Sequence, residues 1–141
     1  MISKLRIVAV GKVKEGYLLQ GINEYVKRLG AFCRLELIEL KDEGLVKEAK
    51  RLEKYLGAGT FILDVKGKQF TSEEFAQLVK KQEGTLTLII GGADGIDESL
   101  KKRAPGISLS NMTFTHEMCR LFLLEQVYRA YMINTNRPYH R

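Results

Sequence analysis

The chain has 141 residues, of which 45% are hydrophobic and 28% charged, and its formal net charge is +6 at pH 7. A chain of this length is one domain's worth and can bury a core without disulfides or metals. It has neither an apolar run near 18 residues nor a charged-then-apolar leader, which excludes a membrane-spanning or obviously secreted protein and predicts a cytoplasmic one. The positive charge favours a polyanionic partner, by default RNA or DNA, although a merely basic soluble protein would have the same balance.

Cysteine and histidine are both sparse. Cys33 and Cys119 lie far apart and outside any CxxC motif, so we expect two small buried thiols of a reducing compartment and no disulfide. His116 and His140 are too distant in sequence to form a local metal motif, and no acidic cluster accompanies them. No metal site is therefore predicted, and without a G-x-S-x-G elbow a Ser/His/Asp hydrolase has no support.

The apolar pattern predicts strands and helices in strict alternation. Short β-branched or alternating runs predict five strands, at Leu5–Val10, Arg34–Leu40, Thr60–Val65, Thr85–Ile90 and Ile107–Leu109. Helical spacing predicts five helices, at about Tyr17–Leu29, Gly44–Leu56, Thr71–Lys81, Asp97–Arg103 and His116–Asn134. No linker or repeat divides the chain. Strict alternation predicts an α/β fold with a mostly parallel sheet.

Local signals mark several element ends. Gly30 is the expected C-cap of the first helix, and Gly57 is expected to stop the second. A turn at Lys66–Lys68 is expected to end the third strand. Thr71, with Glu74 three residues later, matches a capping box at the start of the third helix.

Ligands of open α/β sheets bind beyond the carboxyl ends of the strands. Three segments qualify, namely Leu63–Lys68, Ile90–Gly95 and Leu109–Thr115. The GGADG motif within the second segment lacks the G-x-G-x-x-G spacing and follows the fourth strand, which disfavours a classical Rossmann nucleotide site. Two interpretations of its glycines stay open: a tight turn that needs positive φ, or close approach of the backbone to a ligand.

The last predicted helix is apolar on most of its circumference, which is typical of a buried helix. One sector nevertheless combines polar and apolar side chains: Met118, Phe122, Glu125, Gln126, Arg129 and Ile133. The polar group is either an ordinary i,i+4 Glu–Arg surface pair or a polar site inside a helix–helix or subunit interface.

The chain ends on an aromatic and basic tail. Arg137 and Arg141 can bind phosphate, Tyr139 can stack on a base, and His140 can move a proton near neutral pH. A frayed basic tail is the simpler interpretation of the same residues.

Several motifs recur here in a known order. IGGADG, LSNMTFTH, LLEQVYRAY and the terminal TNRPYHR, together with IVAVGK and LDVKGK, resemble the RlmH (YbeA-like) family of SPOUT-class methyltransferases. The resemblance covers nearly the whole chain and is most specific in its C-terminal third.

The resemblance implies one SPOUT methyltransferase domain over residues 1–141, with a C-terminal deep trefoil knot and the cofactor region at about 60–141. It implies a homodimer that uses S-adenosylmethionine to methylate N3 of a pseudouridine in helix 69 of 23S ribosomal RNA, on assembled ribosomes. No metal and no membrane are implied.

The resemblance also implies the site residues. The cofactor-binding set is Leu63, Gly92, Ser110, Asn111, Met112, Thr113, Phe114 and Thr115. The catalytic and RNA-facing set is Glu125, Arg129, Tyr139, His140 and Arg141. His140 would be the base or position it, Tyr139 would contact the target, Arg129 and Arg141 would hold negative charge, and Glu125 would orient Arg129.

Two departures from the family pattern stand out. The stretch from Asp42 to Gly57 is shorter than the family's, and Thr115 stands where proline is expected. The competing hypotheses are a non-catalytic RNA-binding dimer, which would not bind S-adenosylmethionine, and a SPOUT methyltransferase acting on another RNA such as tRNA.

Overall fold

The computed structural model describes residues 2–141. Within that range, five strands are formed by Ile2–Val10 (β1), Arg34–Leu40 (β2), Thr60–Gln69 (β3), Gly84–Ile90 (β4) and Gly106–Ser108 (β5). Five α-helices are formed by Gly16–Leu29 (α1), Leu45–Leu52 (α2), Ser72–Lys81 (α3), Glu98–Lys101 (α4) and His116–Asn134 (α5). The predicted alternation of strand and helix is confirmed.

All five strands belong to one parallel sheet in the order β2-β1-β4-β3-β5. The interior strand β4 is buried from Leu86 to Ile90, as expected where helices cover both faces of a parallel sheet. One face packs against α1, α3 and α5, and the other against α2 and α4. This arrangement confirms the predicted α/β fold with a parallel sheet.

Strand β3 is longer than predicted, and the turn expected at Lys66–Lys68 is wrong. The strand continues to Gln69 because its second half pairs with β5 after a register shift. The shift depends on Gly67, since a Cβ there would lie 2.5 Å from the carbonyl carbon of Gly106. Lysine and glycine resemble a turn in sequence, but here the glycine allows two backbones to approach closely.

Several element ends differ from the prediction by a few residues. Helix α2 ends at Leu52 and is followed by a 3₁₀ turn at Glu53–Tyr55, so the helix predicted to Leu56 is too long. Helix α4 covers only Glu98–Lys101 of the predicted Asp97–Arg103, and Asp97 is its N-cap, accepting from the Ser99 amide at 2.9 Å. Such ends carry little periodicity, because three or four residues complete only one turn.

Capping interactions set the ends of α1, α3 and α5. Gly30 is the C-cap of α1, with a right-handed backbone. The predicted capping box of α3 is confirmed, with both Thr71–Glu74 hydrogen bonds present. Beyond α5, Asn136 adopts a positive φ of 55°, and the amide of Arg137 donates to Met132 at 2.9 Å. This Schellman-type ending reverses the chain and directs the tail back along α5.

Helix α5 is buried on one face only. Its inward face includes Leu123, Leu124 and Val127, which are fully buried. The opposite sector is less covered, and Phe122 is 40% exposed. The expectation of a helix buried around most of its circumference is therefore wrong for a single chain.

Candidate active site

A cavity of about 1000 Å³ lies at the carboxyl ends of β4 and β5 and beside the middle of β3. The three segments expected there all contribute to its walls. Seven of the eight predicted cofactor-binding residues line it: Leu63, Gly92, Ser110, Met112, Thr113, Phe114 and Thr115. The eighth, Asn111, is exposed, and its side-chain oxygen accepts from Gln69 Nε2 at 2.8 Å. The sequence therefore predicts the walls of this cavity closely.

The glycines after β4 form a tight turn, which is one of the two interpretations left open by the sequence. Gly95 has a φ of +81° and donates to the Gly92 carbonyl at 3.0 Å, which makes a tight turn. A Cβ on Gly91 would lie 2.5 Å from the Gly95 oxygen. Gly91, Gly92 and Gly95 also line the cavity. The turn therefore leaves a wall without side chains, along which a ligand can approach the backbone.

The segment before α5 is ordered by its own side chains. Ser108 donates to the Ser110 carbonyl at 2.9 Å, and the Ser110 hydroxyl accepts from the Met112 amide at 3.0 Å. Thr115 is the N-cap of α5 and accepts from Met118 at 3.2 Å. Threonine thus fits where proline was expected, because it supplies a capping oxygen.

Acidic and basic groups meet at one wall of the cavity. Asp64 and Lys101 both line it, with the ammonium 3.8 Å from the carboxylate. Glu98 also binds Lys101, at 3.2 Å. The charges at this wall therefore nearly cancel. The cavity lining also includes apolar side chains, among them Leu63 and Phe114. Such a lining suits a ligand with an apolar ring and a few polar groups.

Four of the five predicted catalytic residues form a second cluster on α5 and in the tail, namely Glu125, Arg129, Tyr139 and His140. Arg129 donates to Glu125 Oε1 from Nε at 3.1 Å and from Nη2 at 2.6 Å. Tyr139 donates to the same oxygen at 3.3 Å, and the Arg129 guanidinium lies 4.9 Å from the Tyr139 ring centroid. Arg129 also contacts His140 Nδ1 at 3.0 Å. The i,i+4 pair expected from the sequence thus exists, but it also anchors the tail.

The contacts of His140 define its tautomer. Because Arg129 can only donate, Nδ1 must accept, and the ring proton is on Nε2. That nitrogen lies 2.5 Å from Glu73 Oε1, on the first turn of α3. His140 is half-buried and bridges two helices. The tail is therefore held against the protein as far as His140, and only the last residue, Arg141, is exposed beyond it.

Tyr25 and Tyr128 also contact the tail, through Tyr139. The Tyr25 and Tyr139 hydroxyls lie 3.1 Å apart, and the Tyr128 ring packs edge-on against Tyr139 with centroids 4.9 Å apart. Burial first, then the hydrogen bond from Tyr25 and the Glu125 charge, raises the pKa of Tyr139 above its ordinary value of 10. The hydrogen bonding that Arg129 donates to Glu125 is the largest cause of the raised pKa of Arg129.

Sequence reasoning missed Glu73, Tyr25 and Tyr128 as members of this cluster. Glu73 looked like part of a helix start, and Tyr25 like one apolar position of α1. Tyr128 lies within the LLEQVYRAY motif, so the resemblance alone could have pointed to it. Nothing in the spacing of Glu73 or Tyr25 relates either residue to the tail.

The cavity and the tail cluster are separate within one chain. The cavity lining reaches Cys119 on α5, and Arg129 lies 10 positions further along the helix, which is about 15 Å at 1.5 Å per residue. The structure thus brings together most of each predicted set but does not bring the two sets together.

A smaller apolar groove of about 480 Å³ lies between them. Its lining includes Phe114 from the cavity segment and Glu125 from the tail cluster. Phe114 and Phe122 pack edge-to-face across it, with centroids 5.1 Å apart. The exposed apolar surface on this side of α5 is therefore continuous with both sites.

Other features of residues 2–141 bear on the chemistry. No group of three His, Cys, Asp or Glu side chains is placed to hold a metal ion, and no helix in this range is long and apolar enough to cross a membrane. Cys33 and Cys119 are free and half-buried, not fully buried as expected, and burial raises the pKa of both thiols.

Known proteins resemble this chain in sequence and fold. Relatives named "Ribosomal RNA large subunit methyltransferase H", from Streptococcus pyogenes serotypes M5 (strain Manfredo) and M18 (strain MGAS8232), are 43% identical over 158 aligned residues, covering 98% of this chain and 99% of theirs. The alignment is longer than the chain, so it contains gaps in this chain.

Solved structures share the fold at low identity. A probable methylase family protein from Haemophilus influenzae Rd KW20 has a TM-score of 0.59 at 12% identity, covering 97% of this chain and 70% of that one. A tRNA (m1G37) methyltransferase from Aquifex aeolicus has a TM-score of 0.55 at 18% identity, covering 89% and 69%. The family model described as "Predicted SPOUT methyltransferase" matches residues 3–140, and the chain therefore belongs to the SPOUT methyltransferase family.

Proposed function

We propose that this protein methylates N3 of a pseudouridine in helix 69 of 23S ribosomal RNA, using S-adenosylmethionine and acting on assembled ribosomes in the cytoplasm. The observation that carries the proposal is the cavity at the strand ends, lined by seven of the eight residues expected to bind the cofactor. The relatives' name supports ribosomal RNA as the substrate, and the net charge of +6 suits a polyanion.

The residues around the cavity fit S-adenosylmethionine. Leu63 and Phe114 offer apolar contacts for an adenine ring, and the backbone of Gly91 and Gly92 is accessible from the cavity. The ordered segment from Ser110 to Thr115 would hold the ligand through its backbone groups. When bound, the cofactor supplies an electrophilic methyl group on a sulfonium, which needs no metal ion for transfer.

The tail cluster would supply the other half of the reaction. N3 of a pseudouridine is an imide N–H and becomes a good nucleophile only when its proton is removed. His140 Nδ1 accepts a hydrogen bond from Arg129. If the imide N–H of the target replaced Arg129 as the donor, Nδ1 would be placed to remove the imide proton. Arg129, oriented by Glu125, would then stabilise the charge that develops on an imide oxygen.

The remaining members of the set would bind the RNA. Tyr139 offers one half-buried ring face or its hydroxyl to the target base. Arg141 is exposed at the end of the chain and would contact phosphate. Alignment of target and methyl group would provide most of the rate enhancement, since the chemistry is a direct transfer.

A homodimer would unite the two halves of the site. Because Cys119 at the cavity and Arg129 in the tail cluster lie about 15 Å apart along α5, we propose that the tail of one protomer meets the cavity of its partner. The groove beside Phe114 and the exposed Phe122 offer apolar surface for that association. We further propose that residues 1–141 form one domain and that the segment after β5 forms the trefoil knot of the family.

The decisive experiment is methyl transfer to ribosomes from cells that lack this gene. Purified protein, radiolabelled S-adenosylmethionine and intact ribosomes are incubated, and the labelled nucleotide is mapped. Label on one pseudouridine of helix 69 is the expected result. Cofactor binding with no label on ribosomes would instead favour another RNA such as tRNA, and loss of both would favour a non-catalytic RNA-binding dimer.

A further inference from the structure

The loop between β1 and α1, residues 11–15, is held by unusually many side-chain contacts from α5. The amides of Lys14 and Glu15 both donate to Glu117 Oε1, at 2.9 and 3.1 Å. The buried Arg120 donates from Nη2 to the Gly11 carbonyl at 3.0 Å and pairs with Glu39. Two charged side chains of α5 therefore fix the backbone of one short exposed loop.

The same loop carries two lysines. The hydrogen bond from the Glu15 amide and, less strongly, the charge of Lys14 lower the pKa of Glu117. Lys12 and Lys14 are exposed, and neither forms an ion pair with any residue in the range 2–141. The loop's acidic side chain is Glu15, and the Glu117 carboxylate accepts two of the loop's own amides. Both lysines are thus exposed to solvent, without an ion-pair partner among the described residues to hold either ammonium group.

The position of the loop selects the kind of ligand. It follows the carboxyl end of β1, which is the neighbour of β4 in the sheet, and Glu15 lines the cavity. Lys12 and Lys14 are not among the lining residues, so a ligand inside the cavity is not what they face. Two lysines at the rim of a cavity suit the phosphates of a larger polyanion whose reacting part enters it.

We propose that Lys12 and Lys14 form a phosphate-binding loop for the RNA substrate, presented in a fixed position by Glu117 and Arg120. The proposal rests on the proposed function for the identity of the polyanion. A fixed backbone reduces the entropy lost when the lysines bind. The loop would hold nucleotides that flank the target, while the target base enters the site.

The test measures RNA affinity separately from methylation. Fluorescence anisotropy with a fluorescein-labelled single-stranded decauridylate, titrated over a range of KCl concentrations, compares the wild-type chain with Lys12→Gln/Lys14→Gln. The double variant should weaken binding and reduce the slope of log Kd against log salt by about 0.7 per lysine. Its affinity for S-adenosylmethionine should stay at the wild-type value, and with ribosomes its KM should rise while kcat is retained.

The matched control is Lys80→Gln/Lys81→Gln. These two exposed lysines lie in the last turn of α3, which leads into the amino end of β4 and so lies away from the carboxyl ends of the strands. Equal losses in both double variants would overturn the proposal, because they would reflect general charge alone. So would an unchanged slope in Lys12→Gln/Lys14→Gln, or no binding by the wild-type chain at low salt. If the wild type binds RNA through these lysines but methylates nothing, the loop assignment stands and the proposed function fails.

Discussion

The hydroxyl oxygens of Tyr25 and Tyr139 lie 3.1 Å apart, although 114 positions separate the two residues. Since Tyr139 donates to Glu125, the proton between the tyrosines belongs to Tyr25. A helix near the start of the chain therefore orients the tail at its end. Under the proposed function, Tyr25 is a positioning residue that acts through Tyr139.

Tyr25→Phe removes this hydrogen bond and keeps the ring. We expect methyl transfer to fall about fivefold, because one net hydrogen bond contributes about 1 kcal/mol. The effect should appear in kcat, with the Kd for S-adenosylmethionine unchanged. Tyr128→Phe is the control, since the Tyr128 ring contacts Tyr139 and its hydroxyl makes none of the tail's hydrogen bonds. Equal losses in both variants would contradict the positioning role.

His140→Ala removes the proposed base. We expect kcat to fall by roughly a hundredfold to ten-thousandfold. Glu73→Gln should cause a smaller loss, because its amide oxygen can still accept from Nε2 but without a charge. The measurement is kcat across a range of pH for each variant. Full activity of His140→Ala at every pH would rule out the base assignment.

Alkaline pH should destabilise the fold through two tyrosines. Burial is the main cause of the raised pKa values of Tyr131 and Tyr139, both above the ordinary value of 10. Since a raised pKa favours the neutral form in the folded state, this stability is complete below pH 10 and is lost as pH rises towards the folded-state values. Denaturant titrations at increasing pH should show the loss, and Tyr139→Phe should reduce it. An identical pH dependence in that variant would contradict the linkage.

Gly67→Ala should disrupt the contact between β3 and β5. The added Cβ would lie 2.5 Å from the Gly106 carbonyl carbon and 2.7 Å from the Ile107 nitrogen, both backbone atoms that cannot rotate away. We expect about 1–3 kcal/mol lower stability and weaker S-adenosylmethionine binding, because Ile107 also lines the cavity. The readouts are urea unfolding and calorimetric titration.

Gly16→Ala is the matched control for that substitution. Nothing lies within 4 Å of a Cβ at Gly16, the first residue of α1. Its stability should change by less than about 0.5 kcal/mol. If Gly67→Ala were equally silent, the close approach of the two strands would not constrain this position.

The sequence predicted the sheet and the walls of the cavity because both depend on short-range patterns. Short apolar runs that form strands alternate along the chain with runs of helical periodicity. A parallel sheet then places the carboxyl ends of all its strands on the same side. Gly92 and the segment from Ser110 to Thr115 follow strands directly, so their place at that edge was predictable.

The path of β3 was not predictable in the same way. The stretch from Lys66 to Lys68 has the composition of a turn, and only pairing with β5, about 40 residues later, keeps it extended. Pairing between distant segments overrides local preference in strands, because the hydrogen bonds of a sheet lie between strands and not within one strand.

The sequence by itself determined the alternating fold, the cap of α3 by Thr71 and Glu74, and the segments after β4 and β5 that border the cavity. Only the tertiary structure joined Tyr25 and Glu73 to the tail, because those contacts cross 114 and 67 positions and leave no periodic trace. It also separated the cavity from the Glu125–Arg129 pair. The rise of an α-helix, and not the spacing of motifs in sequence, fixes the distance between groups at its two ends.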